Sequence, residues 1–176
     1  MTDVQSTTTT RADAPGHERL RTPEPTDGRE IWALARRVGL DLNSPYAYVL
    51  WGDHFADTSV VAVRDDRVVG FAMGFRTPAD PDTLFIWQIG VDEGARGSGL
   101  ASRMLDELVE RTGVAVVEAT VTPSNTASAA LFRGVGVRHG TVAEEVLAYG
   151  EDLFPDGHEA EVRFRIPVTG GTRAAC

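Results

Sequence analysis

Thr83-Leu84-Phe85-Ile86-Trp87-Gln88-Ile89-Gly90-Val91, followed after a short acidic loop by Arg96-Gly97-Ser98-Gly99-Leu100-Ala101, is the stretch on which the fold turns. Its first part is a β-rich apolar run of the kind a buried central strand needs. Its second part opens a helical stripe, Leu100, Met104, Leu105 and Leu108, that ends near Gly113. Glycines between a strand and a helix let the backbone turn tightly and approach a ligand. The free N–H groups and positive dipole end of the helix then attract phosphate. The pattern predicts a pyrophosphate-bearing ligand here, against the blander reading of an ordinary glycine-rich loop.

Two other phosphate loops compete for the same residues. A Walker loop is excluded, because no Lys-Ser or Lys-Thr pair follows the last glycine. The dinucleotide fingerprint comes closer, with Gly97-x-Gly99 before a helix and Glu118 about 20 residues on. Its sixth position is Ser102, however, and the gap from Val91 to Gly97 is too loose for a turn that should start at the strand end. Too little chain follows for a second βαβαβ half.

Upstream, Ser59 to Val63 and Arg67 to Met73 are β-rich runs separated by Asp65-Asp66, the pattern of a hairpin. Asn43-Ser44-Pro45 announces a helix through Tyr46, Val49 and Leu50, with Ser44 as its cap and Pro45 preset for the first turn. Before it, Ile31, Leu34, Ala35 and Val38 recur at helical spacing until Gly39, and a short strand begins near Leu20. Downstream, Val114 to Val121 returns as a strand, Pro123-Ser124-Asn125 opens a short helix carrying Ala129 to Phe132, and Glu161 to Val168 is a last strand. The expected order is β-α-α-β-β-β-α-β-α-β, an α/β fold with one mixed sheet in a single domain over residues 18–168. Residues 1–17, rich in Ser and Thr, read as a disordered leader, and 169–176 as a flexible tail.

A chain of 176 residues with 42% hydrophobic and 24% charged residues has the apolar content for one sizeable core. A formal charge of −9 argues against a nucleic-acid partner, which needs a basic face, and suits a cationic small molecule. No apolar run reaches membrane-spanning length and the first residues lack a secretory apolar core, so a cytoplasmic protein without a membrane partner is expected. Cys176, alone and terminal, offers no disulfide and reads as an inert tail thiol; four scattered histidines show no metal-ligand spacing, so no metal is expected.

Arg96-x-x-Gly99-x-Ala101, set after a strand ending Ile89-Gly90-Val91, resembles the acyl-CoA pyrophosphate loop of the GNAT superfamily. Thr122-Pro123-Ser124-Asn125-x-x-Ser128-x-x-Leu131-Phe132 resembles that superfamily's second cofactor segment. The resemblance implies a GNAT-like, mostly antiparallel sheet flanked by helices, acetyl-CoA as cosubstrate, and a homodimer. It implies cofactor contacts at Ile89, Gly90, Val91, Arg96, Gly97, Ser98, Gly99, Leu100, Ala101, Asn125, Ser128 and Phe132.

Further strings narrow the likeness. Leu40-Asp41-Leu42-Asn43-Ser44-Pro45-Tyr46, Asp53 to Thr58, Pro81 to Phe85 with Trp87-Gln88-Ile89, Glu118 to Asn125, and Leu153-Phe154-Pro155-x-Gly157-His158-Glu159 resemble the L-2,4-diaminobutyrate acetyltransferases of ectoine biosynthesis. The implied reaction moves acetyl from acetyl-CoA to the 4-amino group of L-2,4-diaminobutanoate. Spacing alone stops at a generic amine acetyltransferase, and a GNAT enzyme for another amine or a non-catalytic acyl-CoA-binding module are the rival readings.

Acetyl transfer needs a neutral amine, while a free alkylamine has a pKa of about 10 and is mostly protonated at neutral pH. Asp41, Asp53, Asp57, Glu118 and Glu159 are the acids near the family-like strings; Asp41 and Glu159 are preferred as base and ammonium holders because each sits in a loop beside aromatic residues. The alternative is a solvated acid or helix cap. Backbone N–H groups from Ile89 to Val91 are expected to stabilise the thioester oxygen. Many GNAT enzymes place a tyrosine near the departing sulfur, but the matching position is Phe132, which leaves Tyr46, Tyr48 or water as the acid, or a CoA thiolate that departs without one. Strand alternation is expected to put Phe85, Trp87 and Ile89 on one face, with Trp87 either a plain core residue or a wall holding an ammonium. His54 and His158 read more readily as structural. The acceptor set is thus Asp41, Tyr46, Trp87, His158 and Glu159, with Asp41, Glu159 and Tyr46 the catalytic candidates.

Overall fold

The computed structural model describes residues 18–155 and 157–168. The expected leader over 1–17, the expected tail over 169–176 and Cys176 lie outside the described residues.

In chain order the elements are β1 (Arg19–Arg21), α1 (Gly28–Arg37), α2 (Pro45–His54), β2 (Val60–Arg64), β3 (Arg67–Thr77), β4 (Asp80–Val91), α3 (Leu100–Thr112), β5 (Val116–Val121), α4 (Thr126–Arg138), β6 (Glu144–Tyr149) and β7 (Glu161–Pro167). They build one seven-stranded sheet in the order β1-β2-β3-β4-β5-β7-β6. Every neighbouring pair is antiparallel except β4 and β5, which run parallel across the α3 connection. The α/β class and the mostly antiparallel sheet are as expected.

Why the central strands read as continuous apolar runs is clear from their two covered faces. Val60, Ala62 and Ala72 pack with Leu100, Met104, Leu105 and Leu108 of α3 on one face. Val61, Val68, Phe71 and Met73 pack with Ile31, Leu34 and Ala35 of α1 and Tyr48 of α2 on the other. The period-3.6 stripes of α1 and α3 are thus the lids of two cores, each worth roughly 1.5–3 kcal/mol per large side chain removed from water.

Two expectations are corrected. The strand β6 was not foreseen, and it pairs with β7 at the sheet edge from Glu144↔Arg165 to Tyr149↔Glu161. Its run Glu-Glu-Val-Leu-Ala-Tyr buries no side chain fully and so carries no alternation to read. The second correction concerns β4. Met73 faces Gln88 while Gly74 faces Ile86, which leaves Trp87 as an extra residue. Such a bulge shifts the side-chain phase. Leu84, Ile86, Ile89 and Val91 consequently pack on the α3 side and Trp87 on the α1–α2 side, so Ile89 does not share a face with Phe85 and Trp87.

Candidate active site

The bulge coincides with a parting of strands. β4 and β5 pair only from Thr83↔Val116 to Ile86↔Ala119, after which β4 stays with β3 and β5 with β7. A cavity of about 340 Å³ opens in the cleft, lined by Ile86 to Ile89 of β4, Thr120 and Val121 of β5, Thr122, Asn125, Ser128 and Phe132 at α4, and Leu40, Asp41, Asn43 and Glu161. Asp92 N–H donates to the Val69 carbonyl at 2.8 Å. Antiparallel alternation then turns the N–H groups of Ile89 and Val91 away from β3 and toward the cleft. The Val91 carbonyl agrees with this phase, because it accepts from Arg96 Nε at 3.3 Å instead of from β3.

A second hollow of about 280 Å³ adjoins the start of α3 and is lined by Val91, Ala95, Arg96, Gly97, Gly99, Leu100, Ala101 and Ser102. Gly97 and Gly99 take φ of +76° and +74°, the left-handed region that a glycine enters without strain. The N-cap Gly99 has no side chain to bond the first free N–H groups of α3, which leaves them for an anion. Space is open at both glycines, with nothing among the described residues within 4 Å of where a Cβ would stand. An uncapped helix start with an arginine beside it fits a pyrophosphate.

At α4 the polar groups are arranged differently. Asn125 Oδ1 accepts the Ser128 N–H at 3.1 Å and caps the helix, while the NH2 end of its amide remains to donate to a ligand in the cleft. Phe132 is buried and packs with Phe164 at 6.1 Å between ring centroids. No hydroxyl takes its place among the residues lining the cavity from α4 beyond Ser128.

On the acceptor side the expected residues separate. Asp41 and Trp87 line the cavity, and Trp87 stacks on Trp51. Tyr46 lies in the first turn of α2, 68% exposed and outside the cavity lining, while Tyr48 is buried and reaches Gln88 at 3.1 Å. Glu159 turns to the β5–α4 loop, where it accepts from the Ser124 N–H at 3.2 Å and from the Ser124 hydroxyl. Two residues on, Glu161 faces the cavity. Its Oε2 is buried with no hydrogen-bond partner among the described residues. Burial pushes the Glu161 carboxyl up, and Asp41 and Glu159 add to the rise against the opposing pull of the Thr120 hydroxyl and His158. Such a carboxyl binds a proton more readily than an exposed one.

His158 stands behind it. Its Nδ1 lies 2.6 Å from the Glu159 carbonyl, which can only accept, so Nδ1 carries the proton and Nε2 points to Glu161 at 3.9 Å. Phe154 stacks on the ring at 4.3 Å. Sequence reasoning missed Glu161, Gln88, Asn43, Thr120 and Thr122. For Glu161 the signal was its place at the head of the last strand, on the face that alternation gives to Arg163 and Arg165.

A match to the acetyltransferase (GNAT) family covers residues 28–137. An L-2,4-diaminobutyric acid acetyltransferase of Halalkalibacterium halodurans is 49% identical over 148 residues, 82% of this chain and 78% of that protein. Its counterpart in Streptomyces coelicolor is 44% identical over 158 residues, covering 85% of this chain and 92% of the relative. Among solved structures, the diaminobutyrate acetyltransferase EctA from Paenibacillus lautus, in complex with its substrate L-2,4-diaminobutyric acid and coenzyme A, superposes with a TM-score of 0.83 at 41% identity, over 91% of this chain and all of that one. The ribosomal-protein-S18-alanine N-acetyltransferase from Escherichia coli, at 19% identity and a TM-score of 0.68 over 90% of this chain and 99% of that one, shares the fold.

Proposed function

Since the chain belongs to the GNAT acetyltransferase family, and within it to the L-2,4-diaminobutyric acid acetyltransferases, we propose that it transfers acetyl from acetyl-CoA to the 4-amino group of L-2,4-diaminobutanoate, in ectoine biosynthesis. The observation that carries this reading is the cleft between β4 and β5, with a phosphate-accepting helix start at one end and the paired acids Asp41 and Glu161 at the other. A substrate with two ammonium groups and one carboxylate is cationic overall, and two carboxylates in one cavity suit it.

Acetyl-CoA supplies the thioester; the chain supplies everything else. Gly97, Ser98, Gly99, Leu100 and Ala101 offer backbone N–H groups to the pyrophosphate with Arg96 beside them, and Asn125 and Ser128 flank the arm that leads to the sulfur. The N–H groups of Ile89 and Val91 face the position where negative charge grows on the thioester oxygen. Asp41 and Trp87 hold an ammonium of the acceptor. Glu161, ionised, takes a proton from the reacting amine, and the imidazole of His158 stands behind that carboxylate with Nε2 at 3.9 Å. The neutral nitrogen forms the new C–N bond as the C–S bond breaks, and the second proton, shed by the acylated nitrogen, passes to the departing thiolate, since Phe132 stands where a tyrosine donor would be. Glu159 serves through Ser124, holding the loop that precedes Asn125.

A homodimer and a cytoplasmic place belong to the same reading. The free edge at β6 supports the former, where Leu147 is 68% exposed and Val142 just before it 85% exposed. Light scattering of the purified protein gives the subunit count. The activity is tested by incubating the protein with acetyl-CoA and a panel of L-2,4-diaminobutanoate, lysine and putrescine, with CoA release as the readout; preference for diaminobutanoate is expected, and equal or absent use of it would refute the reading.

A further inference from the structure

Gln88, next to the extra residue of the β4 bulge, has both ends of its amide engaged. Its Nε2 donates to the backbone carbonyl of Asp41 at 2.7 Å. Its Oε1 accepts from the Tyr48 hydroxyl at 3.1 Å. The same Tyr48 oxygen accepts from the backbone N–H of Asn43 at 3.5 Å. The direction of each bond is fixed by chemistry: a carbonyl only accepts and a backbone N–H only donates, so the amide of Gln88 has one orientation and the Tyr48 proton one destination. Tyr48 is fully buried in α2, so a hydroxyl there without a partner is costly, and the arrangement is held from inside the core.

The geometry points to Tyr48 and Gln88 as positioning residues that hold the acceptor loop against the strand receiving the acyl group. The loop is tied on either side of Leu42, at the Asp41 carbonyl and at the Asn43 N–H, while Leu42 itself is 47% exposed. Asp41 is thereby set at a fixed distance from Ile89 and Val91, the cleft-facing residues that follow Gln88 on the same strand. This inference rests on the reading of Asp41 as an ammonium holder. The two amino groups of L-2,4-diaminobutanoate sit on carbons 2 and 4, with three carbons between the nitrogens, so a loop free to shift by a comparable distance no longer decides which of them reaches the thioester. Tyr48 and Gln88 act through Asp41 and set the regiochemistry of the product.

The test uses Tyr48→Phe, which keeps the ring and removes only the hydroxyl, with Gln88→Met as a second variant that cuts the tie from the other side. Hydrogen exchange of the segment 40–44 should quicken in both. The KM for diaminobutanoate should rise about tenfold while the KM for acetyl-CoA stays within about twofold, the pattern of one lost buried hydrogen bond on the amine side alone. Product NMR should reveal a 2-N-acetyl isomer in the variants at a higher share than in the parent. Faster loop exchange with parental KM values and isomer ratio would overturn the inference, as would equal rises in both KM values with no change in isomer ratio, which is the signature of packing alone. A parent protein that fails to acetylate diaminobutanoate would instead sink the proposed function itself, a result distinct from parental behaviour of the variants in an active enzyme.

Discussion

The indole of Trp87, the extra residue of the β4 bulge, stacks on that of Trp51 in α2 with ring centroids 4.2 Å apart and planes 12° from parallel. One ring face is therefore spent on the α2 side of the core, although the residue also lines the acceptor cavity. On the proposed function, core wall and substrate wall are the same side chain. Trp87→Leu keeps apolar bulk and removes the aromatic face, so the KM for the amine should rise about two- to thirtyfold, as a lost cation–π contact of about 0.5–2 kcal/mol implies. Steady-state kinetics at saturating acetyl-CoA check this.

Gly99→Val should damage cofactor binding from two directions. A β-branched residue at φ +74° is strained, by about 1–2 kcal/mol, and its methyl groups would occupy the open space in front of the free N–H groups of α3. Calorimetric titration should give a CoA affinity at least about tenfold weaker with the domain still folded, since tenfold corresponds to about 1.4 kcal/mol.

Glu161 and Glu159 should separate by pH profile. Burial holds the Glu161 carboxyl above its ordinary range, so its ionised, proton-accepting form is lost as pH falls through that raised value and regained as pH rises. The kcat/KM for the amine should show an acidic limb there. Glu161→Gln should remove the limb and lower kcat/KM by about a hundredfold or more. Glu159→Gln should keep the limb and weaken CoA binding more than amine use, because Glu159 is bonded to Ser124 ahead of the α4 start proposed to flank the cofactor.

Both expected elements and their failures trace to what each residue has to satisfy. The helix α3 and its glycine loop were legible because a stripe, two glycines and a flanking strand all agree. The strand β6 was not, because Glu144 to Tyr149 lies half in solvent and no face imposes a period. The bulge at Trp87 was invisible, since an extra residue leaves the composition of an apolar strand unchanged and alters only its phase. That single residue moved Ile89 to the opposite face. Glu161 was overlooked for the same kind of reason: a carboxylate at the head of an alternating strand looks like a solvated residue until the parting of β4 from β5 makes a cavity in front of it. Tyr46 and Tyr48 illustrate the converse, since helical spacing alone did not decide which of them turns inward.

The start of the described chain should carry a pH-dependent share of stability. Glu18 receives hydrogen bonds from Arg103 of α3 at 2.6 Å and from Arg64 of β2, which together hold its carboxyl at about 2, well below the ordinary 4.5. A depressed carboxylate contributes stability in full above its unfolded value and loses it as pH falls from there toward the folded value. Thermal melts of Glu18→Gln should lie below the parent at neutral pH, with the gap closing between about pH 4.5 and 2.

Regiochemistry of the product tests the central claim most directly. The 17 residues that are lysine or arginine are all arginine, so no lysine amine of the protein competes for acetyl groups in the assay. With acetyl-CoA and L-2,4-diaminobutanoate, NMR of the product should give the 4-N-acetyl isomer, formed in step with CoA release and dependent on Glu161. Acetylation mainly at the 2-amino group, or no acetyl-CoA-dependent product from diaminobutanoate while another amine is used well, would contradict the account.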